Sequence, residues 1–206
     1  MSADGQTPTI RDAHRDLTQA RILDAAIDLL RNEDLDELKM GDIARQAGVT
    51  ERTLYRHFST RDDLLKAVWP RLQARVGSAG FPATAKDLLA LPLWLFPNFD
   101  RENGAVKAST FSKAGREIRR AVSPARNAAL LKAVREARPD LDEAALTRLT
   151  AVIHLIGSSY GWAVMKDYWG FDGAESGRAA ADAIETLLGM PAGQRPQARA
   201  KKETKS

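Results

Sequence analysis

The chain has 206 residues, enough for one large domain or two small ones with a real core. Hydrophobic residues make up 44% and charged residues 28%, as in ordinary globular domains, and the lack of cysteine excludes disulfides and thiolate metal sites. The formal net charge of +4 divides as −3 over residues 1–66, +3 over 67–190 and +4 over 191–206, so gross basicity does not locate a nucleic-acid partner.

Helical periodicity dominates and no useful strand alternation occurs. The first helix is expected over about Leu17–Arg31, with Ile22, Leu23, Ala26, Ile27 and Leu30 on one face and Asp16 with Gln19 as a capping box. Short helices follow at about Met40–Ala47 and Glu51–Phe58. A fourth opens at the Thr60/Asp63 capping box and buries Leu64, Leu65, Val68, Leu72 and Val76. The run Gly77-Ser-Ala-Gly80-Phe-Pro82 breaks the pattern and marks a domain boundary. Beyond it a helix from Thr84 is expected to kink or stop near Leu91 because of Pro92. Asp100 reads as the cap of a short helix to Ser112, and Ser123-Pro124 as the start of one to Arg138. Asp140 with Glu143 opens a long helix to Trp169, and Asp172 with Glu175 opens the last, ending at Gly189. The domains are thus 11–60, a connecting helix 61–76, and 84–190, with 1–10 and 191–206 as disordered tails.

The run LKMGDIARQAGVTERTLYRHF, residues 38–58, carries the chemistry. A helix-turn-helix needs a small residue where its helices cross (Ala44), a residue tolerant of positive φ in the turn (Gly48) and an apolar residue closing the second helix (Leu54). Thr50 is placed to cap the second helix, and its hydroxyl can also reach a phosphate. The remaining face, Glu51, Arg52, Thr53, Tyr55, Arg56 and His57, is polar, basic and aromatic, as a helix entering a major groove requires. Phe58 reads as core, and from Arg45 to Arg61 four arginines face Glu51 alone.

The motif resembles the TetR family: AlaArgGlnAlaGlyValThr (44–50), ThrLeuTyrArgHisPhe (53–58), AspAspLeuLeu (62–65) and IleLeuAspAlaAla (22–26) all match its DNA-binding region. The resemblance implies an all-α fold of about nine helices. An N-terminal three-helix helix-turn-helix domain would precede a C-terminal helical ligand-binding and dimerisation bundle. It also implies a homodimer on a double-stranded, palindromic DNA operator, usually a repressor, released by a small effector. Its contact positions fall on Thr50, Thr53, Tyr55 and His57, with Arg52 and Glu51 as variable base readers. Lys39 and Arg61 depart from the family's usual Thr/Ser and Lys but keep positive charge, and Arg45 adds to it.

In the second domain, residues 150–165 are apolar on nearly every side, so their helix should be buried on more than one face. With the last helix it is expected to form a four-helix dimer interface through Val152, Ile156, Ser159, Tyr160, Ala163, Ala180, Ala183, Ile184 and Leu187. Trp94, Phe96, Phe99, Asn98, Asn103, Thr110, Phe111, His154 and Trp162 are candidates for lining a pocket, each also readable as core. Their chemistry favours an apolar or aromatic effector over a sugar or phosphate. No phosphate loop, nucleophile elbow or metal-ligand cluster is present, so the chain reads as a non-enzyme without cofactor or metal. No signal core or bilayer-length apolar run occurs, so it reads as cytoplasmic with no membrane partner. The alternatives are a DNA-binding regulator without a small ligand, and a non-specific architectural DNA binder. The acidic sum of residues 1–66 disfavours the latter.

Overall fold

The computed structural model describes residues 10–30, 38–77 and 80–190. The described residues form ten helices and no strand: α1 (Ile10–Leu30), α2 (Met40–Gln46), α3 (Glu51–His57), α4 (Arg61–Val76), α5 (Ala85–Arg101), α6 (Asn103–Phe111), α7 (Lys113–Ala137), α8 (Glu143–Ile156), α9 (Ser159–Trp169) and α10 (Gly173–Leu188). The all-helical class stands as expected, and the expected tails lie outside the described residues, apart from the first residue of α1.

Local chemistry sets the boundaries. Thr60 and Asp63 cap α4 reciprocally at 3.1 Å each way, and Thr84 with Asp87 does the same for α5. Asp172 caps α10 through the Glu175 amide, 2.7 Å away. Helices α4 and α10 both end on a glycine in the left-handed region.

Five boundary expectations are corrected. The first helix begins at Ile10 rather than Leu17, so Asp16 lies inside it and caps nothing. Its leading side chains, Asp12 to Leu17, are exposed, and a helical turn with no buried face leaves no apolar period to read. Pro92 neither stops nor ends α5, which runs on through Pro92 and Pro97. Asp100 is not a cap but an interior residue of α5, and its carboxylate accepts from Trp162 Nε1 at 3.0 Å and from the Gly173 amide at 2.7 Å. Ser123-Pro124 starts no helix: α7 is already three turns old there, and the Ser123 hydroxyl donates back to the Arg119 carbonyl at 2.7 Å. The long helix expected to Trp169 is capped by Asp142, not Asp140, and breaks at Gly157-Ser158. There the Ser158 hydroxyl re-caps α9 through the Tyr160 amide, 3.2 Å away.

Helix α10 packs along α5 more extensively than any other pair of helices. Gly173 and Gly177, one turn apart, make this possible: a Cβ would lie 2.4 Å from the Phe96 carbonyl oxygen at Gly173, and 2.7 Å from that of Pro92 at Gly177. The prolines of α5 each remove an intrahelical bond, and close packing against α10 holds the helix in place despite that loss. The main core is continuous from Ile22, Ile27 and Leu54 in the N-terminal helices, through Leu64, Val68 and Leu72 of α4, to Phe96, Val106 and Trp162. A second core joins α5, α7, α8 and α10 around Leu89, Leu146 and Ile153.

Candidate nucleic-acid interface and internal cavity

The helix-turn-helix is built as its spacing requires. Gly48 has a φ of 64°, and the chain reverses through the Gly48 amide to the Arg45 carbonyl (3.1 Å) and the Val49 amide to that of Ala44 (3.0 Å). Ile43, Ala44, Ala47 and Leu54 are buried between the helices. Thr50 caps α3: its Oγ1 accepts from the Thr53 amide at 3.1 Å and donates to Thr53 Oγ1 at 3.0 Å. Arg21, which sequence reasoning missed, donates from α1 to the Ala47 carbonyl at 2.7 Å and so clamps the turn. A lone arginine on a helical surface carries no sequence signal for a bond 26 residues away.

Leu54 and Phe58 face inward, leaving Glu51, Arg52, Tyr55 and Arg56 exposed and Thr53 and His57 half-buried. Tyr55 is 47% exposed and so is not a core aromatic. Burial, then Arg56 and Arg15, hold the His57 imidazole below its ordinary pKa. Lys39 is exposed and precedes α2 without a side-chain cap. The Glu51 carboxylate lies over the first turn of α2, close enough that a Cβ at Gly41 would sit 2.8 Å from Oε1. A negative charge there favours the helix N-terminus. Arg45 pairs with Asp42 at 2.7 Å, and Arg61 is partly buried, its Nε lacking a hydrogen-bond partner.

The second domain contains a cavity of about 400 Å³. Its apolar wall includes Leu88, Leu91, Leu95, Leu130, Ile153 and Ile184, while Trp69, Pro70 and Gln73 close it from α4. Of the aromatic and polar residues expected to line a pocket, His154 alone lies on this wall. Phe96, Phe99 and Trp162 are core, with ring centroids 5.8 Å apart for the first pair and 5.5 Å for the second. Trp94 packs against that core, and Asn98 donates to the Val76 carbonyl at 2.8 Å. Asn103 leaves its Oδ1 buried without a hydrogen-bond partner. Thr110 is buried; its hydroxyl donates to the Val106 carbonyl and can accept from the Ser159 hydroxyl, while Phe111 is exposed and packs edge-on to Tyr160. Thr110 and Phe99 do border a small separate space of about 80 Å³. Aromatic residues at helical spacing filled the core because they bury the most area per residue.

Residues 22–68 match the family described as bacterial regulatory proteins of the tetR family. The likeness to that family thus lies in the N-terminal head. The TetR-type head is 32% identical over 69 residues to the HTH-type transcriptional regulator AcrR of Shigella flexneri, covering 34% of this chain and 32% of that one. It is 40% identical over 62 residues to the HTH-type transcriptional repressor LfrR of Mycolicibacterium smegmatis, covering 30% and 32%. The similarity thus spans about a third of each of these relatives. The likeness of fold extends over most of the chain. A triclosan complex of SmeT superposes with a TM-score of 0.64 at 18% identity, covering 90% of this chain and 100% of that one. A tetR-family transcriptional regulator from Streptomyces coelicolor gives 0.61 at 17%, covering 84% and 80%.

Two further features bear on how a TetR-type head is held. Arg71 of α4 donates from Nε and one Nη to both oxygens of Asp24 in α1, at 2.7 and 2.5 Å. Arg75 bridges Asp24 and Asp28 at 2.8 and 2.7 Å. These pairs hold the Asp24 carboxyl at a pKa of about 2. Of the residues expected at a dimer interface, Ala163, Ala180 and Ile184 are at most 2% exposed within one subunit, which corrects their assignment. Ala180 and Ile184 pack inward because that face of α10 serves α5, and Ala163 packs into the main core from α9. Val152 is exposed, and Ile156, Ser159, Tyr160, Ala183 and Leu187 are half-buried. Leu155, Val164 and Tyr168, which that reading omitted, are exposed apolar residues of the same two helices, α8 and α9. Among the described residues no helix is long and apolar enough to cross a membrane.

Proposed function

We propose that the chain acts as a homodimeric transcriptional repressor whose two heads bind a palindromic operator and release it when a small molecule fills the cavity. The observation that carries this reading is the double role of α4. Trp69, Pro70 and Gln73 of α4 wall the cavity, while Arg71 and Arg75 of the same helix grip α1 of the head. A ligand that displaces α4 therefore displaces the head. It acts only through its different affinities for two head spacings. The triclosan complex of SmeT and the repressor LfrR support the effector and the sign of control by similarity. In this reading Thr50, His57, Lys39 and Arg45 hold phosphates, while Arg52, Thr53, Tyr55 and Arg56 reach bases or phosphate. Glu51 lies back over α2 and contributes indirectly, and the partly buried Arg61 supports the start of α4 beside the backbone.

Selection of random duplexes with the full-length protein tests it. Enrichment of a two-fold-symmetric motif supports the operator reading, and failure to enrich any motif overturns it. Release of the selected duplex by a compound that binds the cavity supports effector control. A regulator controlled without a small ligand would bind that duplex and ignore every cavity occupant.

A further inference from the structure

The cavity is apolar at one end and cationic at the other. Beyond His154 it opens into a second space of about 270 Å³, and the two share Arg119, Arg126, His154, Ser158 and Ser159. Arg116 and Arg120 join the wall of that second space, and neither wall contains an aspartate or glutamate. The four arginines recur along α7 at 116, 119, 120 and 126, on the face turned to the cavity. They lie in the second domain, outside the matched head, so contact with DNA does not account for them.

Arg119 is a fixed cation with only neutral partners. It donates to the carbonyls of Ser109 and Thr110 and to the Tyr160 hydroxyl, and its guanidinium lies 5.4 Å from the Tyr160 ring centroid and 5.9 Å from that of Trp69. Arg126 is less satisfied. One Nη donates to Ser123 Oγ at 2.7 Å, and its buried Nε has no hydrogen-bond partner. A partly buried guanidinium without a carboxylate is costly, and an anion in the cavity would relieve that cost. Burial, and then the Arg126 charge, hold the His154 imidazole below its ordinary pKa.

From this arrangement we infer that the effector is an amphipathic organic anion. Its apolar body fills the space beside Leu88, Leu91 and Ile184, and its anionic head meets Arg126 and Arg119. Carboxylate, sulfate and phosphate monoesters share the required chemistry. A cationic ligand meets like charge there, and a neutral one leaves Arg126 unpaired. This inference rests on the effector reading for its regulatory meaning but not for the binding itself.

Calorimetric titration of the full-length protein with decanoate, decanol and decyltrimethylammonium, each below its aggregation concentration, tests it. Decanoate is expected to bind at least about tenfold more tightly than decanol, with the ammonium weakest. Decyl sulfate against decanoate then distinguishes the headgroups. Arg126→Gln should reduce the preference for decanoate over decanol to less than about threefold while decanol affinity is kept, which also reports that the variant is folded. Arg120→Gln, at an exposed position, is a second variant expected to lower decanoate affinity alone. Binding of decanol or the ammonium as tightly as decanoate overturns the anion class and leaves the effector reading standing. An undiminished preference in both variants overturns the assignment to these arginines. Failure of all three probes to bind overturns the inference. Tight decanoate binding that never releases the selected duplex keeps the anion site and overturns the effector reading.

Discussion

At Gly48 one residue sets the turn that presents α3. The left-handed backbone costs an L-residue about 1–2 kcal/mol, and a Cβ there would lie 2.8 Å from the Arg21 guanidinium that clamps the turn. Gly48→Ala should therefore lower stability by about 1–2 kcal/mol, seen as a lower urea midpoint with an unchanged slope. Tyr55 and Arg52 make the opposite case. Both are exposed and Leu54 beside them is fully buried, so truncating either to alanine should leave the urea midpoint within about 0.5 kcal/mol of wild type. Each should weaken operator binding by about 1–3 kcal/mol in a gel-shift titration. Unchanged affinity in both variants would remove α3 as the recognition element. Asp24 adds a pH-dependent case. Its carboxyl is held at about 2 against an ordinary 3.8, so its stabilising effect is complete above 3.8 and is lost as pH falls towards 2. The pairs are partly exposed and screened, so the contribution is about 1 kcal/mol. Asp24→Asn should lower stability at neutral pH and flatten the loss between pH 4 and 2, read from urea midpoints across that range.

At the scale of helices, the contact of α5 with α10 explains what periodicity could and could not reveal. Gly177→Val should force the two backbones apart, because even a Cβ at that position meets the Pro92 carbonyl oxygen at 2.7 Å. A loss of about 1–3 kcal/mol, with a lowered thermal midpoint, is expected. An unchanged midpoint would show that α10 does not depend on this approach. The helix-turn-helix was legible because each requirement is local: Ala44, Gly48, Thr50 and Leu54 act within eleven residues of one another. The Thr60/Asp63 box was legible for the same reason. Pro92 and Pro124 misled because whether a proline ends a helix depends on distant packing. Gly173 and Gly177, some 80 residues away in the chain, let α10 hold α5 continuous. Asp100 resembled a cap by type, yet its partners Trp162 and Gly173 lie 62 and 73 residues further on. The cavity was illegible for a related reason. Its wall draws on six different helices, and the unsatisfied Nε of Arg126 on that wall is announced by no local pattern.

For the molecule as a whole, assembly of the proposed homodimer turns on α8 and α9. Val152, Leu155, Val164 and Tyr168 expose apolar surface on these two consecutive helices, with Tyr168 81% exposed. In the proposed homodimer, exposed apolar side chains of this kind would be covered by a symmetric contact with a second copy. The half-buried Ala183 and Leu187 of α10 would join it in the proposed four-helix arrangement. The second copy also matters for DNA, since a palindromic operator engages two heads at once and the second contact is intramolecular. Replacing both Val152 and Leu155 by glutamate places charge in the centre of that contact without touching the buried Ile153 or Leu146 of the same helix. In sedimentation velocity at micromolar concentration, the wild-type protein is expected at twice the subunit mass of 22.6 kDa, and the double variant at that single-subunit mass. The variant should keep the helical circular dichroism of the wild type and lose at least about tenfold in affinity for the palindromic duplex, while its weak affinity for a single half-site is unchanged. A wild-type protein that sediments as a single subunit, or a double variant that remains dimeric, would place the contact elsewhere and break the link between the α8–α9 face and operator binding.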